Sequence, residues 1–366
     1  MDFLINYGLF LAKTITFVVA LIIVVGFVVS AGMKGQHEDK GHIEVKRINE
    51  KYEEMLDDLK SVVLEESDLK AEEKQRKKEQ KEKQKALKKS AKAKKSAEKK
   101  STKSAVEDAE VAEEIKQRVY ILDFIGDIKA SATEELRKVI TAVLAIARKE
   151  DEIVLRLESQ GGMVHSYGLA SSQLARITSK EIPLTICVDK VAASGGYMMA
   201  CVANKIIAAP FAILGSIGVV AQIPNFHKLL KKNNIEYETL TAGEYKRTLT
   251  MFGENTDKGR KKFVEDLEDT HVLFKEFISQ HRPNVNIEEV ATGEIWFGTR
   301  AQDKSLIDAV STSDEYLFSK IDSADLFEVS FQHKKTLAEK FGISIEMAME
   351  RVFSSWWQKL NNKIFS

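Results

Sequence analysis

The chain has 366 residues, 44% of them hydrophobic, with 55 Lys and Arg against 55 Asp and Glu. That is enough apolar mass for a full core, and the balance excludes a uniformly basic or acidic protein, although the charge is unevenly spread. Two cysteines inside apolar runs, Cys187 and Cys201, read as buried reduced thiols rather than a disulfide framework, and four prolines argue against a collagenous or Pro-rich design.

Leu9 to Ala31 is apolar apart from Lys13, a few threonines and Ser30, and its uninterrupted part from Ile15 is long enough to span a bilayer. A cleavable signal peptide has a more basic start and a shorter apolar core, so the segment reads as an uncleaved anchor. Lys34, Lys46 and Arg47 follow it against Lys13 before it, a bias that favours a cytoplasmic body. From Ile43 to Val63 the residues Val45, Ile48, Tyr52, Met55, Leu59 and Val62 recur at helical spacing and predict an amphipathic helix. Asp68 to Lys103 is dominated by Lys, Glu, Gln and Ala, and it reads as a solvated helix or linker. No aromatics interleave with its lysines, which speaks against a nucleic-acid surface.

At Arg118 the pattern changes. Val119 to Phe124 predicts a strand, Thr133 to Arg148 a helix, Ile153 to Leu157 a strand, Ser166 to Ile177 a helix and Leu184 to Val188 a third strand. Strands alternating with helices at this spacing give right-handed crossovers and a largely parallel, buried sheet, hence the α/β class. Lys205 to Ala209 follows as a strand, Phe226 to Lys232 as a helix, Tyr237 to Leu240 as a strand and Asp257 to Gln280 as a long helix. Ala338 to Phe365 carries an apolar stripe of Phe353, Trp356, Trp357 and Leu360.

Reactive groups in such sheets gather beyond the carboxyl ends of the strands. There Ala192-Ala193-Ser194-Gly195-Gly196 sets one hydroxyl among residues with almost no side chain, at a predicted strand-to-helix turn. This is how a nucleophile is presented, with exposed Oγ and free backbone N–H groups beside it. A serine needs a base. Of seven histidines only His165, just after the Gly161-Gly162 turn, and His227, at a helix start, stand near the predicted strand ends, while Lys246 follows a predicted strand in a glycine-containing turn. A lysine serves as base if desolvation lowers its pKa.

Four segments in this order, Ser159-Gln160-Gly161-Gly162, Ala193-Ser194-Gly195-Gly196-Tyr197, Leu214-Gly215-Ser216-Ile217-Gly218 and Gly243-Glu244-Tyr245-Lys246, resemble the signal peptide peptidase A family of membrane-bound serine-lysine peptidases. With a single catalytic unit behind one anchor, the chain is most similar to the SohB-type branch. The spacing fits too, since Lys246 follows Ser194 by about fifty residues. The resemblance implies Ser194 as nucleophile, Lys246 as general base, Ser216 as a hydroxyl orienting the amine, and N–H groups of Gly161 or Gly162 and of Gly195 as the oxyanion hole. It also implies a crotonase- or Clp-protease-like fold of repeated βα units, assembly into homo-oligomeric rings, and a bacterial inner-membrane location with the catalytic domain in the periplasm, against the charge bias. Gly293-Glu294-Ile295-Trp296-Phe297-Gly298 matches a later family pattern, whereas Gln160 stands where proline is common and Ser305 where glycine is common.

The organisation that follows is an anchor over 1–35, an amphipathic helix and charged linker over 36–117, a peptidase domain over 118–312 and a helical tail over 313–366. The expected substrates are apolar peptides or proteins, with no cofactor, metal or nucleic acid. Two other readings are a catalytically inactive ring-forming membrane scaffold and a crotonase-type acyl-CoA enzyme, which needs oxyanion N–H groups but neither the Ser-Lys pair nor an anchor.

Overall fold

The computed structural model describes residues 5–17, 41–64 and 116–333. The chain divides into two units, residues 1–43 with 331–366, and Glu44–Ser330, and the second holds the candidate site. Its centre is a set of parallel strands: β2 (Gln117–Gly126), β3 (Glu152–Ser159), β4 (Leu184–Val188) and β6 (Lys205–Ala208) pair in that order. Every residue of β4 is buried, as expected of a strand covered on both faces. The helix α2 (Thr133–Leu144), which links β2 to β3, buries Leu136, Val139, Ile140, Val143 and Leu144. Its successor α3 (Val164–Thr178), between β3 and β4, buries Tyr167, Ala170, Leu174 and Ile177. The predicted parallel α/β core is therefore present, and both cysteines are free and buried within it.

A short branch leaves this sheet where the site forms. The strand β5 (Val191–Ala193) pairs in parallel with both β3 and β7 (Ile213–Gly215), and β7 pairs antiparallel with β8 (Ile295–Phe297). Between β5 and β6 lies the short buried helix α4 (Gly195–Ala200).

Four elements differ from the sequence reading. Gly41–Arg47 is a strand, β1, and the helix α1 spans only Ile48–Val63. Ile43 and Val45 alternate with Glu44 and Lys46, a period-two pattern that a period of 3.6 also accommodates over so few residues. Ala324–His333, expected to be helical, is a strand, β10, which pairs in parallel with β2. The sheet accordingly runs β1-β10-β2-β3-β4-β6-β9, with β9 (Ala309–Val310) at its far edge. Tyr237 to Leu240 forms no strand, and Leu240 is 84% exposed. Its alternating sequence has no partner strand among the described residues.

The helix α1 is fastened to the body by Asn49, which is buried. Its Nδ2 donates to Ile321 O and Ala324 O, both at 3.0 Å, and its Oδ1 accepts from Leu326 N at 2.7 Å. Tyr52 packs edge-on against Phe318, a residue of α9 (Ser313–Phe318).

Of the anchor expected from Leu9 to Ala31, only the helical stretch over 5–17 overlaps the described residues. Among the described residues no helix is long and apolar enough to cross a membrane. The linker from Asp68 to Lys103 and the stripe from Ala338 to Phe365 lie outside the described residues.

Candidate active site

The register of three short pairings assembles the site. Ser159 faces Ala192 across β3 and β5, and Ala193 faces Gly215 across β5 and β7. Ser194 and Ser216 are thus the first residues beyond paired parallel strand ends, set side by side. Both depart from ordinary backbone geometry, Ser194 with φ 53° and Ser216 with φ 51°. Non-glycine residues seldom adopt positive φ, and strain of this kind persists where the surroundings over-determine it. Here the Ser194 N–H donates to Gly215 O at 2.8 Å, and the Ser216 N–H donates to Glu294 O at 2.6 Å.

Glycines let the pieces close. Gly161, with φ +87°, lies so near the elbow that a Cβ on it would sit 2.6 Å from Gly195 N and 2.8 Å from Ser194 Cβ. A Cβ on Gly215 would meet the Trp296 ring at 2.6 Å. That contact accounts for the tryptophan in the Gly293 to Gly298 pattern, which folds β8 against the turn carrying Ser216.

The backbone donors divide into spent and free. The Gly161 N–H donates to Ser159 Oγ at 3.0 Å. The N–H groups of Gly162 and Gly195 have no acceptor among the described residues. The Gly195 N–H also begins α4, where helix geometry leaves donors unsatisfied. A half-buried serine followed directly by the unspent Gly195 N–H, with the Gly161-Gly162 loop packed against it, suits acyl transfer, which needs an attacking oxygen and donors for the oxygen of the attacked carbonyl.

The structure brings Ser194, Ser216 and the Gly161-Gly162 and Gly195 turns together, whereas the Lys246 side chain makes no hydrogen bond to any of them. The sequence reading asks for a desolvated lysine at position 246. Its side chain is instead exposed and makes no hydrogen bond or ion pair among the described residues. Lys246 lies in a turn whose N–H donates to Gly243 O at 3.2 Å, while the neighbouring Glu244 pairs with Lys258 and the Tyr245 ring faces Lys258 and Lys262. This turn is part of an arm over 220–256. Asn225 Nδ2 closes its base by donating to Thr250 O at 2.9 Å and Gly253 O at 3.1 Å, and Phe226, Tyr237 and Phe252 pack their rings together. Val220 and Leu240 on the arm are more than four-fifths exposed, at 81% and 84%. The alternative bases gain no support, because His165 is exposed at the start of α3, His227 begins the short helix α5 (His227–Lys232), and neither side chain has a hydrogen bond among the described residues.

Sequence reasoning gave Ser159 no role and did not single out Tyr167. Both are buried, and Ser159 Oγ lies 2.5 Å from Tyr167 Oη, which donates to Asp127 O at 2.7 Å. The signal available was a serine preceding two glycines and a tyrosine on the buried stripe of the next helix.

An α/β body with a strained serine at its strand ends is compatible with more than one acyl-transfer class, and comparison with known proteins makes the class a peptidase. Residues 2–174 match the family model described as peptidase family S49 N-terminal, and residues 176–326 match peptidase family S49. The "Probable protease SohB" of Haemophilus influenzae is 48% identical over 346 residues, covering 94% of each chain. Its namesake in Buchnera aphidicola subsp. Schizaphis graminum is 45% identical over 345 residues, covering 93% of this chain and 94% of that one. The chloroplastic "Serine protease SPPA" of Arabidopsis thaliana is 31% identical over 167 residues, 45% of this chain and 24% of that one. The chain belongs to peptidase family S49, as its resemblance to signal peptide peptidase A and the SohB-type branch implied.

Proposed function

We propose that the chain is a membrane-anchored serine endopeptidase that hydrolyses apolar peptides through Ser194 and Lys246. One observation carries the reading: Ser194 is held at a strained strand-to-helix turn, directly before the unspent Gly195 N–H and against the loop that carries Gly161 and Gly162. The peptidase relatives displace the acyl-CoA alternative.

In this reaction the Lys246 amine removes the proton from Ser194 Oγ as the oxygen attacks the scissile carbonyl carbon. The carbonyl oxygen takes up the electron pair and is met by the Gly195 and Gly162 N–H groups. As the C–N bond breaks, the lysine ammonium returns the proton to the leaving amine, and an acyl-serine ester remains. Water then repeats the sequence, with Lys246 again as base, and releases the acid. Because the Gly161 N–H is committed to Ser159 Oγ, the donor expected from either glycine is assigned to Gly162. Ser216, beside Ser194, orients the amine.

The exposed arm explains how a lysine held in water is made into a base. Its uncovered apolar residues, Val220 and Leu240 among them, support burial against a neighbouring copy in a homo-oligomeric ring. Such burial desolvates Lys246 and carries its amine to a Ser194. The apolar segment from Leu9 to Ala31 supports a single-pass anchor. By the resemblance, the anchor sits in the bacterial inner membrane with the catalytic domain in the periplasm.

The test uses the full chain in detergent micelles or nanodiscs, a fluorogenic apolar peptide, and a fluorophosphonate probe read by intact mass. Ser194→Ala and Lys246→Ala are each expected to lower hydrolysis by at least about 10³-fold without unfolding the protein. Wild type takes one adduct and neither variant labels. Activity retained in Ser194→Ala would sink the reading; activity lost only with Ser194 would remove Lys246 as the base.

A further inference from the structure

The oxyanion loop after β3 is held by a hydrogen-bond chain that involves none of the reacting groups. The Gly161 N–H donates to Ser159 Oγ at 3.0 Å, Ser159 Oγ meets Tyr167 Oη at 2.5 Å, and Tyr167 Oη donates to Asp127 O at 2.7 Å. Both ends have fixed polarity, since an amide can only donate and a carbonyl can only accept. The hydroxyls between them must therefore point one way, Ser159 donating to Tyr167 and Tyr167 donating to Asp127. Chains with a single sense polarise one another, and burial strengthens each link. Tyr167 is fully buried, and burial raises its phenol above the ordinary value, which keeps the donor protonated.

The same tyrosine reaches the other side of the site. A Cβ on Gly195 would lie 2.4 Å from Tyr167 Cγ, so the ring lies directly against the residue that supplies the second free N–H. One side chain thus reaches both halves of the donor pair, the Gly161-Gly162 loop by hydrogen bonds through Ser159 and the start of α4 by its ring.

We infer that Tyr167 and Ser159 are positioning residues that fix the spacing of the Gly162 and Gly195 N–H groups for the developing oxyanion. The inference rests on the serine-peptidase reading above. The chain commits the Gly161 N–H, which would otherwise be a third donor on the same loop, and leaves the peptide after it free to aim the Gly162 N–H at substrate. Because the effect lies in the transition state, loss of the chain lowers kcat and leaves substrate binding largely intact.

The experiment compares full-chain wild type with Tyr167→Phe, Ser159→Ala, Ser194→Ala and, as a control, Tyr120→Phe. Tyr120 is a buried tyrosine near the start of β2 whose hydroxyl has no hydrogen-bond partner among the described residues. Hydrolysis of the fluorogenic peptide gives kcat and KM, and a peptide aldehyde, whose adduct with a serine places an oxygen in the oxyanion hole, gives an inhibition constant. Removing one oxyanion donor outright costs about 10²–10³-fold, so a mis-set pair should cost about 10- to 100-fold. Tyr167→Phe and Ser159→Ala are expected to lose that much in kcat, to keep KM within about twofold, and to weaken the aldehyde by the same factor as kcat/KM. Tyr120→Phe keeps wild-type values. Wild-type kcat in either folded variant, alongside an inactive Ser194→Ala, overturns the positioning role and leaves the peptidase reading standing. A loss of kcat with unchanged aldehyde affinity overturns it too. An active Ser194→Ala overturns the reading on which it rests. Should Tyr167→Phe fail to fold, Ser159→Ala alone decides.

Discussion

Replacing Gly161 by alanine adds one methyl group where the loop after β3 meets the nucleophile. Its Cβ would lie 2.6 Å from Gly195 N, 2.7 Å from Ala193 O and 2.8 Å from Ser194 Cβ, and the residue has φ +87°. Two penalties are combined there, and Gly293 separates them. Gly293 has φ +84°, yet nothing lies within 4 Å of its Cβ position. Gly293→Ala therefore reports backbone strain alone, about 1–3 kcal/mol. Gly161→Ala carries the same strain and a displacement as well. Two of its three close neighbours are backbone atoms and the third is the Cβ of the strained serine, so no flexible side-chain end can swing aside. The elbow or the loop must shift by some tenths of an ångström, and a misplacement approaching 1 Å costs about 10²-fold in rate. Thermal unfolding, peptide hydrolysis and the rate of fluorophosphonate labelling are measured together. Gly293→Ala is expected to lower stability and leave both rates per folded molecule unchanged, whereas Gly161→Ala lowers stability further and both rates about 100-fold. If folded Gly161→Ala labels and turns over within about threefold of wild type, the loop does not set the geometry at Ser194 and the reasoning fails.

Asn49→Ala leaves Ile321 O, Ala324 O and Leu326 N without their side-chain partner, and it should cost about 3 kcal/mol in urea unfolding. A loss below about 1 kcal/mol would show that α1 is not fastened to the body by this side chain. Asp151 gives a pH-dependent prediction. Burial disfavours its charge, but hydrogen bonds from Arg148 and Arg118 outweigh that and hold the carboxyl below its ordinary value of 3.8. A depressed acid contributes stability that is complete above the unfolded value and is lost as pH falls through the folded one. Asp151→Asn should be less stable than wild type by about 3 kcal/mol at pH 7, and the gap should shrink as pH drops below about 4. A gap independent of pH between 7 and 3, in unfolding followed by tryptophan fluorescence, would contradict this.

The central strands were legible because burial on both faces makes their sequences nearly continuous apolar runs, as Leu184 to Val188 illustrates. The strands at one edge of the sheet were not. Ala324–His333 buries Ala324 and Leu326 on one face and Val329 on the other and leaves the rest partly or fully open, a broken alternation too weak to displace a helical reading of the tail. Gly41–Arg47 was absorbed into the helix that follows it, since Val45 and Ile48 suit a helical period equally well. Both strands lie in stretches assigned to the linker and the tail, so the folded body is larger than the peptidase domain drawn from motifs. Ser305 shows a departure from the family pattern that geometry explains. It follows α8 (Gly298–Asp303) with φ 59°, its N–H bonds to Gln302 O and that of Leu306 bonds to Ala301 O. This is the helix-ending motif in which glycine is usual, and serine adopts it here at the cost of some strain.

The site divides along the same physical line. Ser194, Ser216 and the three glycines sit at the ends of paired strands, where register fixes position, and the order of motifs along the chain was enough to gather them. Lys246 belongs to an arm whose turn is tied to the following helix through Glu244, Tyr245, Lys258 and Lys262, yet its own side chain has no hydrogen bond or ion pair among the described residues, and Val220 and Leu240 are left in water. A motif can name that lysine, because its chemistry is written in its residue type. Its environment depends on what covers the arm. While the arm is uncovered the amine stays exposed, so on the proposed reading an unassembled chain should label slowly with a fluorophosphonate. Labelling measured across a dilution series tests this directly. A rate per chain that falls as copies separate follows from a base completed by assembly, whereas a rate independent of concentration, with separation verified by light scattering, would require Lys246 to reach Ser194 within its own chain.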